Sequence, residues 1–134
     1  DENNASLYTF LYEWFVFLDT SENSLSNLLI LFLPEMAVHL GFGIWIEESN
    51  SHELFDLMEG VFVENVPPHK YYMSNELSQL LYNIQHFEKE EVHSFKITNN
   101  QRSRLIDELV LFYRLHIDTF GELKSLDILR SLLV

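Results

Sequence analysis

Hydrophobic residues recur at helical spacing in the first forty residues of the chain. Over residues 7–18 they follow the i, i+3, i+4, i+7 spacing of a stripe that faces a core, and a second apolar stripe predicts a helix covered on two sides. The two stripes are Leu7, Phe10, Leu11, Trp14 and Leu18, and Tyr8, Tyr12 and Phe15. The same spacing predicts a second helix over residues 25–40 that buries Leu25, Leu28, Leu29, Phe32, Met36 and Leu40.

Two residues determine the shape of the second predicted helix. Pro34 lies inside the pattern and lacks a backbone N–H, so it predicts a kink in the helix or a split into two. Gly41 follows the last periodic residue, and a glycine in the left-handed conformation commonly ends a helix there. The helix is therefore predicted to end at Leu40.

The middle of the chain changes from helical to alternating spacing. Apolar and polar residues alternate over residues 55–63 around Glu59-Gly60, which predicts a small β-hairpin. Pro67-Pro68 ends this element in extended backbone. The side chains predicted to fix the hairpin against the helices are Phe55, Leu57, Val61 and Val63.

Helical spacing returns in the last part of the chain. It predicts a short helix over residues 75–86, a long helix over residues 101–118 and, after a break at Gly121, a last helix over residues 123–133. N-cap candidates precede the first two of these helices: Ser74, and Thr98 to Gln101. Residues 1–134 are thus predicted to form a single, mainly α domain of about five helices with a small β-hairpin insertion.

The charge of the chain is strongly acidic and unevenly distributed. Among 134 residues, Lys and Arg number 8 and Asp and Glu number 21, a formal net charge of −13. No Lys or Arg precedes Lys70. Such a field repels phosphate backbones and anionic membranes, so the chain alone is predicted to bind nucleic acid poorly. The last third balances its charges, and its arginines are the predicted surface for an acidic partner: Arg102, Arg104, Arg114 and Arg130. Ordinary solvated helix surface is the alternative interpretation of these arginines.

Residues that could carry chemistry are present, but their spacing selects no site. The six histidines form neither an H-E-x-x-H motif nor an i, i+4 pair, and no cysteine occurs, so no metal and no cofactor is predicted. His116, on the long apolar helix, is predicted to be a hydrogen-bonded core residue. No G-x-S-x-G motif or glycine-rich phosphate loop occurs, and no carboxylate pair stands out, which leaves a carboxylate hydrolase as a minor alternative.

The last third contains a distinctive set of motifs, namely residues 105–117 with Tyr113-Arg114 and His116, followed by Gly121 and the Leu123-Lys124-Ser125 block. These motifs resemble the C-terminal helices of the RecO family of bacterial recombination mediators. Other family-like stretches occur in the family's order: Leu40-Gly41-Phe42, Phe55-Asp56 with Glu59-Gly60 and Phe62, Pro67-Pro68-His69, and the opening from Leu7 to Asp19. Gly41, Gly60, Gly121, Lys124 and Ser125 are accordingly expected to be structural.

The resemblance implies a non-enzymatic domain of a larger protein. RecO-like proteins have an N-terminal OB-fold that binds DNA; the present chain would be the helical domain after it. The family binds single-stranded DNA and single-strand-binding protein (SSB), works with RecR, helps to load RecA and anneals strands. A cytoplasmic, nucleoid-associated location follows from that role.

Two departures from the family pattern are visible. Many members bind zinc through four cysteines around the hairpin, whereas this chain resembles the cysteine-free branch found in Bacteroidetes. Some members hold the acidic SSB tail with arginines on the helix before the Leu-Gly-aromatic corner, but residues 25–40 contain no Lys or Arg. A non-catalytic scaffold domain of a recombination mediator is therefore the first functional hypothesis. A free-standing acidic adaptor that binds basic partners through residues 1–69 is the second.

Overall fold

The computed structural model describes residues 9, 12–14, 16–17, 25–42 and 53–116. Within these ranges the backbone forms two short antiparallel strands, a 3₁₀ turn and four α-helices. The helices are α1, described at residues 9, 12–14, 16 and 17, then α2 (Leu25–Leu40), α3 (Asn75–Ile84) and α4 (Asn99–His116). The strands are β1 (Leu54–Asp56) and β2 (Val61–Val63), and the 3₁₀ turn is Val92–Ser94.

The described part of the chain is therefore mainly α with a small β-hairpin, as the sequence predicts. Its α-helices number four, however, and not five. The predicted helix over residues 123–133 and the break at Gly121 lie outside the described residues. The long predicted helix begins two residues earlier, at Asn99, and the short one ends two residues earlier, at Ile84.

Helix α2 is the centre of the fold. It packs against α3, α4 and the 3₁₀ turn. The predicted single stripe understates its burial, because four consecutive residues, 28–31, are all buried and therefore cover every side of the helix. Phe32, Met36 and Leu40, predicted to be buried, are only partly so. The most buried apolar residues of α2 are Leu28, Ile30, Leu31, Leu33 and Ala37.

Pro34 does not split α2, which runs without interruption from Leu25 to Leu40. The helix ends as predicted at Gly41, whose φ of 95° lies in the left-handed region. Two backbone hydrogen bonds close this end, from Gly41 N to Val38 O at 3.2 Å and from Phe42 N to Ala37 O at 3.1 Å. The second bond spans the turn as in a Schellman motif and places Phe42 over the end of α4.

The hairpin is confirmed at its predicted place. Phe55 pairs with Phe62 directly across the strands, and the two rings lie 5.1 Å apart. Residues directly opposite in an antiparallel pair point to the same face, so Phe62 is buried with Phe55. Of the four predicted anchors, Phe55 and Leu57 are buried, whereas Val61 and Val63 are only partly buried. Gly60, with φ of 72°, closes the turn by donating its N–H to Asp56 O at 2.8 Å.

Both described helix starts after the hairpin have the predicted caps. Ser74 Oγ accepts the N–H of Leu77 at 3.2 Å at the start of α3. Thr98 Oγ1 accepts the N–H of Gln101 at 3.1 Å, and Gln101 Oε1 accepts the N–H of Thr98 at 3.0 Å. This reciprocal pair is a capping box, which satisfies two exposed donors at the start of α4.

In the described part of helix α1, a single side of the helix is buried. Trp14 is 3% exposed and packs edge-on against Phe32 of α2, with ring centroids 5.1 Å apart. Tyr12, by contrast, is 64% exposed. The prediction of a helix covered on two sides is therefore wrong at this position, while Tyr8 and Phe15 lie outside the described residues.

Candidate functional site

Arg102 joins the start of α4 to α2. Its Nε donates to Asn27 Oδ1 at 2.7 Å, and its Nη1 donates to Asn99 Oδ1, also at 2.7 Å. Asn27 is 6% exposed, so the guanidinium satisfies a polar side chain that α2 would otherwise bury without a partner. Arg102 is half-buried.

Arg104 lies about 200° around the same helix from Arg102 and contacts a different neighbour. Its Nη2 is 2.9 Å from Glu76 Oε1 on α3, and its Nε donates to Asn100 Oδ1 at 2.9 Å. Gln101 Nε2 donates to the other oxygen of Glu76 at 3.0 Å. The hydrogen bond from Gln101, and after it the hydrogen bond from Arg104 Nη2, lower the pKa of the Glu76 carboxyl.

The Glu76 carboxyl is expected to titrate below the ordinary pH range of a glutamate. Arg104→Met and Gln101→Ala should each raise its pKa toward the normal value, because each removes a donor to the charged form. Because the pKa of Glu76 is lower in the folded chain than its ordinary value, these contacts stabilise the fold at pH values above the ordinary glutamate pKa. Their contribution is lost as the pH falls through the lowered pKa of the folded chain. Carboxyl-carbon NMR titration of Glu76 measures this. An unchanged pKa in both variants would contradict the contact, and Arg114→Met is the control.

The other predicted partner-binding residues are placed less fully. Arg114 is exposed near the end of α4. Arg130 lies outside the described residues, as do the structural candidates Gly121, Lys124 and Ser125. Arg102 and Arg104 therefore contact different neighbours. A common surface formed by the four arginines stays a prediction.

Two further residues of the family-like Tyr-Arg-x-His motif connect α4 to the rest of the fold. Tyr113 is fully buried, its hydroxyl donates to Leu33 O of α2 at 2.5 Å, and burial raises the pKa of the phenol well above 10, so it remains a donor. His116 Nε2 donates to Leu57 O in the hairpin turn at 2.8 Å. The His116 ring is stacked on Phe42 at 5.4 Å with an interplanar angle of 4°. The predicted hydrogen bond of His116 is confirmed, but the residue is only partly buried and so is not the core residue that the sequence predicts.

Asp56 and His69 form a contact that the spacing of the residues does not reveal. His69 Nε2 is 3.1 Å from Asp56 Oδ2 and also 3.1 Å from Asp56 Oδ1, and the Asp56 side chain is 6% exposed. Asp56 Oδ1 accepts the N–H groups of Met58 at 2.9 Å and Glu59 at 3.0 Å. The contact of Asp56 with the backbone of Met58 and Glu59 has a local signal in the sequence, because an Asp side chain at the start of a turn commonly bonds the backbone just after it. The partnership with His69 has no such signal.

The remaining histidines stay apart where the structure describes them. His86 and His93 are exposed, and His86 Nδ1 donates to Tyr82 O at 2.9 Å. His52 is outside the described residues. Within residues 9–17, 25–42 and 53–116, as far as they are described, no three His, Asp or Glu side chains come together in a group that could hold a metal ion.

Glu35 is the described carboxylate that best merits comparison with a catalytic acid. The pKa of Glu35 is raised, chiefly by desolvation and further by the nearby Glu88 and Glu90. The Trp14 indole, which donates to Glu35 Oε2 at 3.3 Å, and the nearby Lys89 act in the opposite direction. Glu35, Glu88 and Glu90 are nevertheless all exposed. Carboxylate-based hydrolysis needs two carboxyls held across a cleft, so this open arrangement gives the hydrolase alternative no support.

The described helices also give no candidate for a membrane span, since none of them is both long and apolar enough to cross a bilayer. This finding applies to α1–α4 over the residues that the structure describes.

Comparison with known proteins agrees with the fold and the motifs. The family model described as Recombination protein O C terminal matches residues 1–127. A DNA repair protein RecO of Azobacteroides pseudotrichonymphae is 26% identical over 130 residues, which are 97% of this chain and 54% of the relative. The proteins of the same name from Bacteroides fragilis and Flavobacterium johnsoniae are 27% identical over 133 residues and 29% identical over 139. No solved structure matches the chain significantly.

The chain spans about half the length of the curated relatives that it matches, 54% to 55% of each of these three, while 97% to 98% of the chain itself is covered. The matched family model describes a C-terminal region and covers all the described residues. The chain therefore belongs to the RecO family and carries its C-terminal domain.

Proposed function

We propose that this chain is a non-catalytic interaction and scaffold domain of a recombination mediator in DNA repair. The family match over residues 1–127 carries the proposal, and the relatives' name, DNA repair protein RecO, gives the process. An N-terminal OB-fold would bind single-stranded DNA and support strand annealing. RecR-like and SSB-like proteins would be the partners in RecA loading, at the nucleoid in the cytoplasm.

The acidic charge supports this division of labour. With a net charge of −13, the domain repels the phosphates that supply most of the affinity for nucleic acid. DNA contacts are therefore assigned to the OB-fold part, and protein contacts to this domain.

The surface proposed for an acidic partner remains Arg102, Arg104, Arg114 and Arg130, in the third of the chain that is not net acidic. Arg102 adds a specific argument. Helix α2 contains no Lys or Arg, but Arg102 of α4 places a guanidinium against α2 at Asn27. By resemblance to family members with arginines on that helix, the edge between α2 and α4 is the proposed position for the acidic SSB tail.

Titration of a labelled SSB-tail peptide with the chain tests this surface. Arg102→Glu and Arg114→Glu should each weaken binding roughly tenfold at about 150 mM salt, because a reversed charge replaces attraction by repulsion. Lys70→Glu is the control, since it changes the net charge equally and lies on the hairpin side. Equal weakening by all three variants, or by none, would contradict the surface. Circular dichroism must show that Arg102→Glu remains folded, because that residue also bonds Asn27.

The same titration with single-stranded DNA should show no micromolar binding by the chain at that salt concentration. Tight DNA binding would contradict the division of labour. The second candidate, an acidic adaptor, is favoured by the absence of Lys and Arg before Lys70. It would be supported if the chain bound a basic peptide and not the SSB tail, and if the charge reversals of the arginines left that binding unchanged.

A further inference from the structure

The hairpin lobe, here residues 54–73, is the region where many proteins that this chain resembles have cysteine-bound zinc. The lobe contains β1, β2 and the segment 71–73, which pairs with the other edge of β1. Leu57 N donates to Tyr71 O at 2.9 Å, and Met73 N donates to Phe55 O at 2.9 Å. A two-stranded hairpin alone is marginally stable, so the lobe depends on contacts that fasten it beyond its own strand pairing.

The residues present do not fit a zinc site. The chain has no cysteine. Asp56 and His69 are the lobe's best-placed ligand types, but both already use their lone pairs and protons within the lobe. Glu59 and Glu64 are exposed, and the described residues contain no group of three His, Asp or Glu suited to a metal.

Asp56 is the first half of the alternative fastener. Its Oδ1 accepts two backbone N–H groups of the turn, from Met58 at 2.9 Å and from Glu59 at 3.0 Å, and its Oδ2 faces His69 Nε2 at 3.1 Å. A nearly buried carboxylate that accepts three hydrogen bonds is well compensated for its loss of water. One side chain therefore fixes both the shape of the turn and its link to the strand beyond the two prolines.

His69 is the second half, and the backbone fixes its tautomer. Tyr71 N donates to His69 Nδ1 at 3.0 Å, so Nδ1 has no proton and Nε2 carries the one that faces Asp56. The imidazole thus bridges the turn of the hairpin to the backbone at Tyr71, which pairs with β1. A zinc ion would link such segments by coordination, whereas here hydrogen bonds link the turn of the hairpin to the backbone at Tyr71.

Two helices hold the fastened lobe in place. Ser78 Oγ on α3 accepts the N–H of Phe55 at 2.9 Å, and His116 on α4 donates to Leu57 O at 2.8 Å. The hydrogen bonds among Asp56, His69 and the backbone of Met58, Glu59 and Tyr71 are called the Asp56–His69 clamp below.

We infer that the Asp56–His69 clamp does in this protein what cysteine-bound zinc does in many of its relatives, and that the hairpin lobe is therefore closed without metal. The local stability of the lobe therefore depends on the side chains of Asp56 and His69 and not on the metal content of the medium.

Amide hydrogen exchange of the chain, measured with and without a chelator, tests this inference. Asp56→Ala and His69→Ala should speed exchange of the protected amides of Leu57 and Met73 on the order of tenfold to a hundredfold, as expected for losing hydrogen bonds to a charged group. Amides in the middle of α4 should change much less. Chelator, or added Zn²⁺, should leave the parent chain's exchange unchanged.

Matched controls separate the clamp from a general loss of charge. Glu64→Ala removes an exposed carboxylate of the same lobe, and His93→Ala removes an exposed histidine outside it; both should leave exchange within about twofold, as surface substitutions do. If Asp56→Ala unfolds the whole chain, Asp56→Asn decides. Asparagine removes the negative charge and replaces one of the two oxygens near His69 Nε2 by an NH₂ donor, so a single amide oxygen is left to accept from both the turn and His69. Lobe exchange in this variant that matches the Glu64→Ala control would overturn the inference, as would chelation that opens the parent lobe.

Discussion

Phe112→Ala is expected to lower the free energy of unfolding by about 3–5 kcal/mol, the range found when a fully buried aromatic side chain is truncated. Phe112 is 0% exposed. It connects parts of the fold that are distant in sequence, because its ring lies 5.4 Å from Phe55 in the hairpin and 5.6 Å from Phe42 after α2. It also contacts His116 at 4.7 Å. Its loss would leave a cavity where the hairpin and the segment after α2 meet α4.

Chemical denaturation followed by circular dichroism measures this loss, with Met58→Ala as the control. Met58 is a large apolar residue of the hairpin turn that is 45% exposed, so its truncation should change stability by about 0.5 kcal/mol or less. The prediction fails if the two variants are equally stable. Phe112→Leu, which preserves most of the buried volume, should be intermediate between the parent and Phe112→Ala.

Local signals account for what the sequence predicts well. The helix over residues 25–40 follows from apolar spacing and Gly41, and the caps at Ser74 and Thr98 follow from side chains that bond backbone within three residues. The hairpin follows from alternation on both sides of a turn glycine. Each of these features is determined by neighbours in sequence, so it is visible without the fold.

Long-range contacts account for what the sequence misses. Arg102 and Asn27 are 75 residues apart and Tyr113 and Leu33 are 80 apart, so no spacing rule brings them together. Arg102 is readily assigned to a surface from sequence, yet the structure gives it a buried amide to satisfy. The full burial of α2 likewise depends on which elements surround it, and one-dimensional periodicity identifies only its most regular face.

The candidate interaction surface shows the same division. Charge distribution alone selects the arginines of the last third, because no cation occurs before Lys70. Their directions around α4 require the helix and its neighbours: Arg102 faces α2, while Arg104 faces α3. The family motif Tyr113-Arg114-x-His116 is recognisable from sequence, but the structural use of its Tyr and His becomes visible only with Leu33 and Leu57 in place.

Ser78→Ala is expected to destabilise the chain by about 2–4 kcal/mol, a large effect for the loss of one hydroxyl. Ser78 is 0% exposed on α3. Its Oγ accepts the N–H of Phe55 at 2.9 Å and donates to Met73 O at 3.3 Å, so it joins the helix to β1 and to the segment 71–73. Alanine would leave a buried donor and a buried acceptor without partners, and water cannot reach either group without opening the core.

Ser94→Ala is the matched control for this prediction. Ser94 Oγ also donates to a backbone carbonyl, that of Glu91, at 2.8 Å, but Ser94 is exposed and water can replace the bond. Its substitution should therefore cost about 0.5 kcal/mol or less. Urea unfolding of the two variants decides between burial and hydrogen-bond count as the origin of the effect. If burial is the origin, Ser78→Ala loses several times more stability than Ser94→Ala, and equal losses would show that the hydroxyl of Ser78 has no special role in seating the lobe.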